Sequence, residues 1–259
     1  MNLYLDCGNT RLKWALASVG VGVNVPAQIV RRGACDYAPA ALADWCASIA
    51  DTPLQALHFA SVVSSELEQE IFAHLQPLGL IPQRFTVSAC RGSLINGYAS
   101  LQTLGVDRWA AAIGAWSLVE SACLVVSTGT ATTIDLIEVT PEGGRYRGGL
   151  ILPGIDLMLE SLHQRAARLP QAEGCYRPAP DVADNTHDAI FCGAIEATCG
   201  AIERMGRRLP EGAPWLLTGG RAPTLQEALG KRLRCVDDLV LEGLAVADSL
   251  DQQRSQQND

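Results

Sequence analysis

Apolar and polar positions alternate through Asn2-Leu-Tyr-Leu-Asp6, which predicts a strand, and the run stops at the turn-forming cluster Cys7-Gly-Asn-Thr10. Leu12 to Ala17 reads as a second strand. The same order returns half a chain later: Ala122 to Val126 is strand-like, Ser127-Thr-Gly-Thr130 is a polar turn, and Ala131 to Ile137 is strand-like again. Two similar hairpins so far apart point to a duplicated domain rather than a short-period repeat. Strand-like segments follow each hairpin, at Ala27 to Arg31 and at Tyr146 to Leu152.

Helical spacing of apolar residues marks Ala40 to Ala50, entered through Pro39, and Ser64 to His74, with a strand at Leu54 to Val63 between them. In the second half Asp156 to Leu169 and Asn185 to Arg208 read as helices. Trp215 to Thr218 reads as a strand closed by Gly219-Gly220, and Leu225 to Leu229 begins a short helix. This order predicts an α/β protein of two lobes, each a mixed sheet flanked by helices, over residues 1–113 and 114–259. Residues 105 to 118 are expected to form the helix that links them, and Gln252 to Asp259 a polar, frayed tail.

With 259 residues, 48% of them apolar, the chain can bury a large core. Charge or Gly and Pro interrupt every apolar run before it reaches the roughly 18 to 20 residues of a membrane span, and Met1 leads straight into a strand. The expectation is a soluble, cytoplasmic protein with no membrane partner. A net charge of −8 disfavours a nucleic-acid surface and favours a small-molecule partner. The nine cysteines show no zinc-type spacing and are expected to be buried, reduced thiols. Lys13 and Lys231 are the only lysines.

Asp6 ends a strand and is followed by Gly8, Asn9 and Thr10, a combination suited to phosphate: glycine admits close backbone N–H groups, the Asn and Thr side chains donate, and the carboxylate can hold Mg²⁺. An Asp-x-Gly-Asn turn equally serves many sheets as a plain hairpin. A second such loop at Ser127 to Thr130 would let the pair clamp a polyphosphate. Asp107 and Arg108 stand at the start of a helical run, where a carboxylate caps the helix favourably. In a phosphotransferase the same Asp accepts the proton of an attacking hydroxyl and the Arg binds an anionic substrate group.

Taken together, these motifs resemble those of the type III pantothenate kinases, within the duplicated actin-like (ASKHA, ribonuclease H-like) fold. The resemblance rests on Asp6 to Lys13, Gly105 to Arg108, Gly129 to Ala131, Gly148 to Gly154 and the Asn185-Thr186 pair. It implies ATP-dependent phosphorylation of pantothenate, the first step of coenzyme A synthesis, with Asp107 as the base. Asp6, Cys7, Gly8, Asn9, Thr10, Arg11, Leu12, Lys13 and Thr130 would hold ATP and Mg²⁺. Tyr98, Gly105, Val106, Asp107, Arg108 and Thr186 would contact pantothenate, and Leu216 to Gly220 looks like the turn beside adenosine. The family's members are homodimers with the substrate site near the interface. Many carry an Asp two residues before the second-loop Gly, where it holds K⁺ or NH₄⁺; this chain has Ser127, a weaker cation ligand, so the monovalent site is expected to be altered. Another actin-like kinase, or a non-catalytic accessory regulator that binds nucleotide, remains open on these residues. The four histidines are expected to be structural or solvent-exposed.

Overall fold

The computed structural model describes residues 1–18, 27–166, 168–172, 174–178, 181–230 and 233–258. The chain forms two compact units, one of Met1–Leu118 with Leu239–Asp259, the other Val119–Asp238.

In the first unit β1 (Asn2–Cys7), β2 (Leu12–Ser18) and β3 (Gln28–Cys35) make an antiparallel meander, and β4 (Ala56–Ser61) and β5 (Pro82–Arg84) join in parallel on the far side of β1. The strand order is β3-β2-β1-β4-β5. Parallel strands need crossovers, which α1 (Pro39–Ile49) and α2 (Ser65–Leu75) provide. Pro39 begins α1 where a missing N–H costs nothing, and Ser64 caps α2 by accepting from the Leu67 N–H at 3.3 Å. Every residue of β1 is buried. Its Leu3, Leu5 and Cys7 pack with Leu42, Trp45 and Ile49 of α1 and with Ile71 and Leu75 of α2.

Opposite them, Asn2 and Tyr4 hydrogen-bond to Asp248 of α7 (Leu239–Asn258), so this last helix covers the other face of the sheet. Beside it lies α3 (Val106–Val119), buried without a break from Arg108 to Trp116, as an interior helix is. Truncating Trp109, fully buried in that run, would cost about 3–5 kcal/mol. The helix ends at Glu120, whose φ of 41° is left-handed. Where α3 and α7 cross, a methyl on Gly243 would sit 1.8 Å from the Ala110 carbonyl oxygen and one on Gly114 2.5 Å from that of Leu239. Backbone touches backbone there. A small hairpin, β6 (Cys90–Arg91) with β7 (Leu94–Asn96), completes the unit.

The second unit repeats the plan. β8 (Cys123–Thr128), β9 (Ala131–Thr140) and β10 (Gly143–Pro153) form the meander, and β11 (Trp215–Gly219) and β12 (Leu233–Cys235) add in parallel, giving β10-β9-β8-β11-β12. Leu124, Val126, Ile134 and Leu217 of the sheet pack with Ile155 and Leu159 of α4 (Ile155–Arg165), with Ile195 and Ile202 of α5 (Thr186–Gly206), and with Leu225 of α6 (Ala222–Leu229). One strand order used twice is the duplicated, actin-like α/β fold.

Three sequence expectations change. The 113/114 division cuts through α3, and residues from Leu239 onward fold with the first unit because Leu239, Leu241, Leu244 and Ala245 are buried there. Gln252 to Asn258 are the end of α7 and not a frayed tail, while Asp259 lies outside the described residues, as do Lys231 and Ala167 of the expected Asp156 to Leu169 helix. All nine cysteines are free thiols, but only Cys7, Cys123 and Cys199 are buried; Cys90, Cys175 and Cys235 are exposed. No described helix is long and apolar enough to cross a membrane.

Candidate active site

The β1–β2 hairpin pairs Asp6 with Lys13 and Cys7 with Leu12, leaving Gly8 to Arg11 as the turn. Strand alternation decides which side chains are available. Cys7 and Leu12 point into the apolar core, and burial, reinforced by the neighbouring Asp6, raises the Cys7 thiol far above its ordinary value. These two residues can offer a ligand only their backbone. Asp6, with 7% of its surface exposed, faces the other way, and Lys13 Nζ stands 3.7 Å from its Oδ2. Asn9, Thr10 and Arg11 are exposed. Tyr37 OH donates to the Gly8 carbonyl at 2.5 Å and so fixes the turn, a role no sequence signal marked.

Asp107 occupies the first turn of α3, and the helix begins with Trp109 N–H bonded to the Gly105 carbonyl at 3.1 Å. Arg108, only 6% exposed, places its guanidinium 5.7 Å from the Tyr98 ring centroid, within cation–π range. Asn96 Oδ1 accepts from the Tyr98 N–H at 3.0 Å and holds that ring's backbone. Tyr98, Gly105, Val106, Asp107 and Arg108 are thus gathered at one helix start. A carboxylate at the positive end of a helix beside a fixed guanidinium can receive a hydroxyl proton while an anionic group is bound.

In the second unit the β8–β9 turn is built by Gly129 N–H bonding to the Ala131 carbonyl at 3.0 Å. Gly154 N–H bonds to the Thr130 carbonyl at 2.9 Å, and a methyl on Gly154 would fall 2.1 Å from the Gly129 oxygen. The glycine that ends the Gly148 to Gly154 segment is therefore what seats the loop. Ser127 lies on β8 between Thr133 and Thr218 of the neighbouring strands. The polar side chains around this turn are hydroxyls: Ser127, Thr128, Thr130, Thr132 and Thr133.

Thr186, exposed, opens α5 on the rim of a cavity of about 800 Å³ with a largely apolar lining that includes Met158, Leu162 and Ile190. Asn185 caps the helix by accepting from the Asp188 N–H at 3.0 Å. Asp188, 7% exposed, in turn accepts from Cys175 N–H at 2.9 Å, Asn185 Nδ2 at 2.9 Å and Arg177 Nε at 3.0 Å. Those bonds, the Cys175 N–H first among them, hold its carboxyl down to about 2. Asp188 was missed from sequence, although Asn-x-x-Asp before an apolar run is a capping-box signature.

A family model described as type III pantothenate kinase matches residues 2–208. The chain belongs to the type III pantothenate kinase family. It is 42% identical over 252 residues to a protein named type III pantothenate kinase from Aromatoleum aromaticum, covering 95% of this chain and 97% of that one. It is 40% identical to one of the same name from Methylobacillus flagellatus, covering 93% and 95%. Among solved structures, a Campylobacter jejuni protein described as a Baf family transcriptional activator superposes with a TM-score of 0.57 at 16% identity, covering 98% of this chain and 99% of that one. A Sinorhizobium meliloti protein described as a 2-dehydro-3-deoxygalactonokinase gives a TM-score of 0.51 at 11% identity, covering 95% and 98%. At such identities the two structures speak for the fold alone. Four pantothenate-kinase motifs, together with the Asn185-Thr186 pair, fall inside the matched span, while Leu216 to Gly220 lies beyond it.

Proposed function

We propose that this chain catalyses the reaction of its family, transfer of the γ-phosphoryl group of ATP to the terminal hydroxyl of pantothenate, with Asp107 accepting the hydroxyl proton. The observation that carries the assignment is Asp107 in the first turn of α3 beside Arg108, itself braced on Tyr98. Phosphoryl transfer asks little covalent chemistry of the protein and much positioning, which a half-buried helix start anchored by the buried Arg108 supplies.

In this reading Asp6, the turn from Gly8 to Arg11, the backbone of Cys7 and Leu12, Lys13 and Thr130 bind the ATP phosphates. Mg²⁺ is normally bound through one or two carboxylates plus substrate phosphates, and Asp6, a buried carboxylate at the mouth of the turn, fits that donor set. The metal would neutralise charge developing on the phosphates. Tyr98, Gly105 to Arg108 and Thr186 meet pantothenate, with Thr186 serving the partner's site in a cytoplasmic homodimer. Ser127 removes the carboxylate expected to hold a monovalent cation, so catalysis proceeds without strong K⁺ or NH₄⁺ dependence.

Incubating the purified protein with Mg·ATP and a panel of hydroxylated acids, acetate and sugars tests the reading. Phosphate should appear on pantothenate and not on glycerate, acetate or glucose. Nucleotide binding without pantothenate turnover at saturating ATP would instead make the protein a regulator.

A further inference from the structure

Tyr37 lies outside every motif of the family resemblance, yet it reaches the turn that the kinase reading assigns to the ATP phosphates. Register explains how. Cys7 pairs with Leu12 across the β1–β2 hairpin, and Leu12 pairs in turn with Cys35, the last residue of β3. The chain leaving β3 therefore emerges beside the Gly8 to Arg11 turn, and since α1 begins at Pro39, only Asp36, Tyr37 and Ala38 bridge the two elements. The half-buried Tyr37 ring packs against the apolar cluster that contains Cys7 and Leu12, and its hydroxyl donates to the Gly8 carbonyl at 2.5 Å.

That bond sets the orientation of one peptide. The Gly8 carbonyl points to the core side of the sheet, where Tyr37 stands. In a planar trans peptide the N–H points opposite to the C=O, so the Asn9 N–H is turned to the other side, where Lys13 Nζ stands 3.7 Å from Asp6 Oδ2. Among the described residues no backbone carbonyl accepts from it. A backbone N–H aimed beside an ammonium is an element of an anion-binding concavity. Burial first, then the neighbouring Cys7 and Asp6, push the Tyr37 phenol well above its ordinary value, so it keeps the proton it donates.

The second unit braces its own turn from the same place. There the junction between the third strand and the first helix is Gly154, between β10 and α4, and its N–H bonds to the Thr130 carbonyl at 2.9 Å. In both halves this junction supplies a donor to a carbonyl of the glycine turn, a backbone N–H in one and a tyrosine hydroxyl in the other. A brace made twice by different chemistry belongs to the working of the turn.

We propose that Tyr37 is a positioning residue for the nucleotide: by holding the Gly8 carbonyl on the core side it aims the Asn9 N–H at a phosphate oxygen of ATP. The inference rests on the proposed role of that turn in binding ATP.

Tyr37→Phe keeps the packed ring and removes only the donor. In the full chain the calorimetric affinity for Mg·ATP should fall about fivefold, the scale of one hydrogen bond, and the KM for ATP should rise to match, while kcat and the KM for pantothenate stay within about twofold. Asp107 and Arg108 belong to the same unit as the turn, so a general loosening would move pantothenate as well. Asn9→Pro deletes the N–H itself, and on that background Tyr37→Phe should have no further effect on ATP affinity. A bond that serves stability alone would show as a lower urea midpoint with ATP affinity unchanged. That result, or an equal loss of affinity on both backgrounds, would overturn the inference. Wild-type protein that binds no Mg·ATP would overturn the kinase reading and this inference together, whereas wild-type binding matched by Tyr37→Phe would overturn this inference alone.

Discussion

The Asp107 carboxylate folds back over Gly105, so closely that a methyl group on the glycine would lie 2.6 Å from Asp107 Oδ1. Any larger residue at 105 displaces the carboxylate proposed as base. Asp107→Asn keeps the shape and removes the basicity, and kcat should fall by about 10² to 10⁴ with the KM for ATP little changed. Steady-state assays with pantothenate at saturating ATP give the answer; near-normal turnover would remove Asp107 from the chemistry.

Gly154 bears on the second loop as Gly105 bears on Asp107. A methyl there would meet the carbonyl oxygens of Gly129 at 2.1 Å and Thr130 at 2.6 Å, all of them backbone atoms that cannot step aside alone. Gly154→Ala should shift the loop and lower kcat/KM for ATP by about 10²-fold, the scale of a displacement near 1 Å. Nucleotide titration beside the kinetic assay separates lost binding from lost turnover, and an unchanged kcat/KM would show that the loop does not touch ATP.

Ser127 predicts a pattern with ions. The wild-type rate in sodium buffer should lie within about twofold of that in potassium, because a hydroxyl binds hard cations far less well than a carboxylate. Ser127→Asp should introduce a preference for potassium. A strong potassium requirement in the wild type would mean that backbone carbonyls and threonine hydroxyls suffice.

Asp188 predicts a pH dependence. Its folded value of about 2 is below the roughly 3.9 of an unfolded chain, so the unfolded state takes up the proton first. The stability it confers is therefore complete above the unfolded value and is lost as pH falls towards 2. The gap in urea midpoint between wild type and Asp188→Asn should be wide at pH 6 and narrower at pH 3. A gap that does not change with pH would mean that the carboxylate's charge contributes nothing.

Both glycine hairpins were legible because alternation and turn residues are local signals, and Asp6, Lys13 and Gly129 stand where such a reading puts them. So was α5, whose apolar spacing runs through Ile190, Ala194, Ile195, Cys199 and Ile202. What escaped depends on partners distant in sequence. β5 and β12 are three residues each and exist only because β4 and β11 offer free edges. The end of α7 reads as a polar tail because Gln252 to Asn258 carry no apolar spacing; they continue a helix whose preceding Asp248 and Asp251 answer to Asn2, Tyr4 and Arg91, more than 150 positions earlier. His58 looked like one scattered histidine of four; only the parallel register that sets it beside Tyr4 reveals its polar cluster.

The return of α7 to the first unit makes that unit discontinuous, and this has a consequence on the ribosome. The sheet that carries Asp6 emerges early, yet the helix that covers its Asn2 and Tyr4 face is made only after the whole of Val119–Asp238. At translation speeds of roughly 5 to 20 residues per second the intervening unit takes on the order of 6 to 24 s to synthesise, long enough for it to fold first. Through that interval the Asn2 and Tyr4 face of the nascent sheet lacks the helix that covers it in the finished fold.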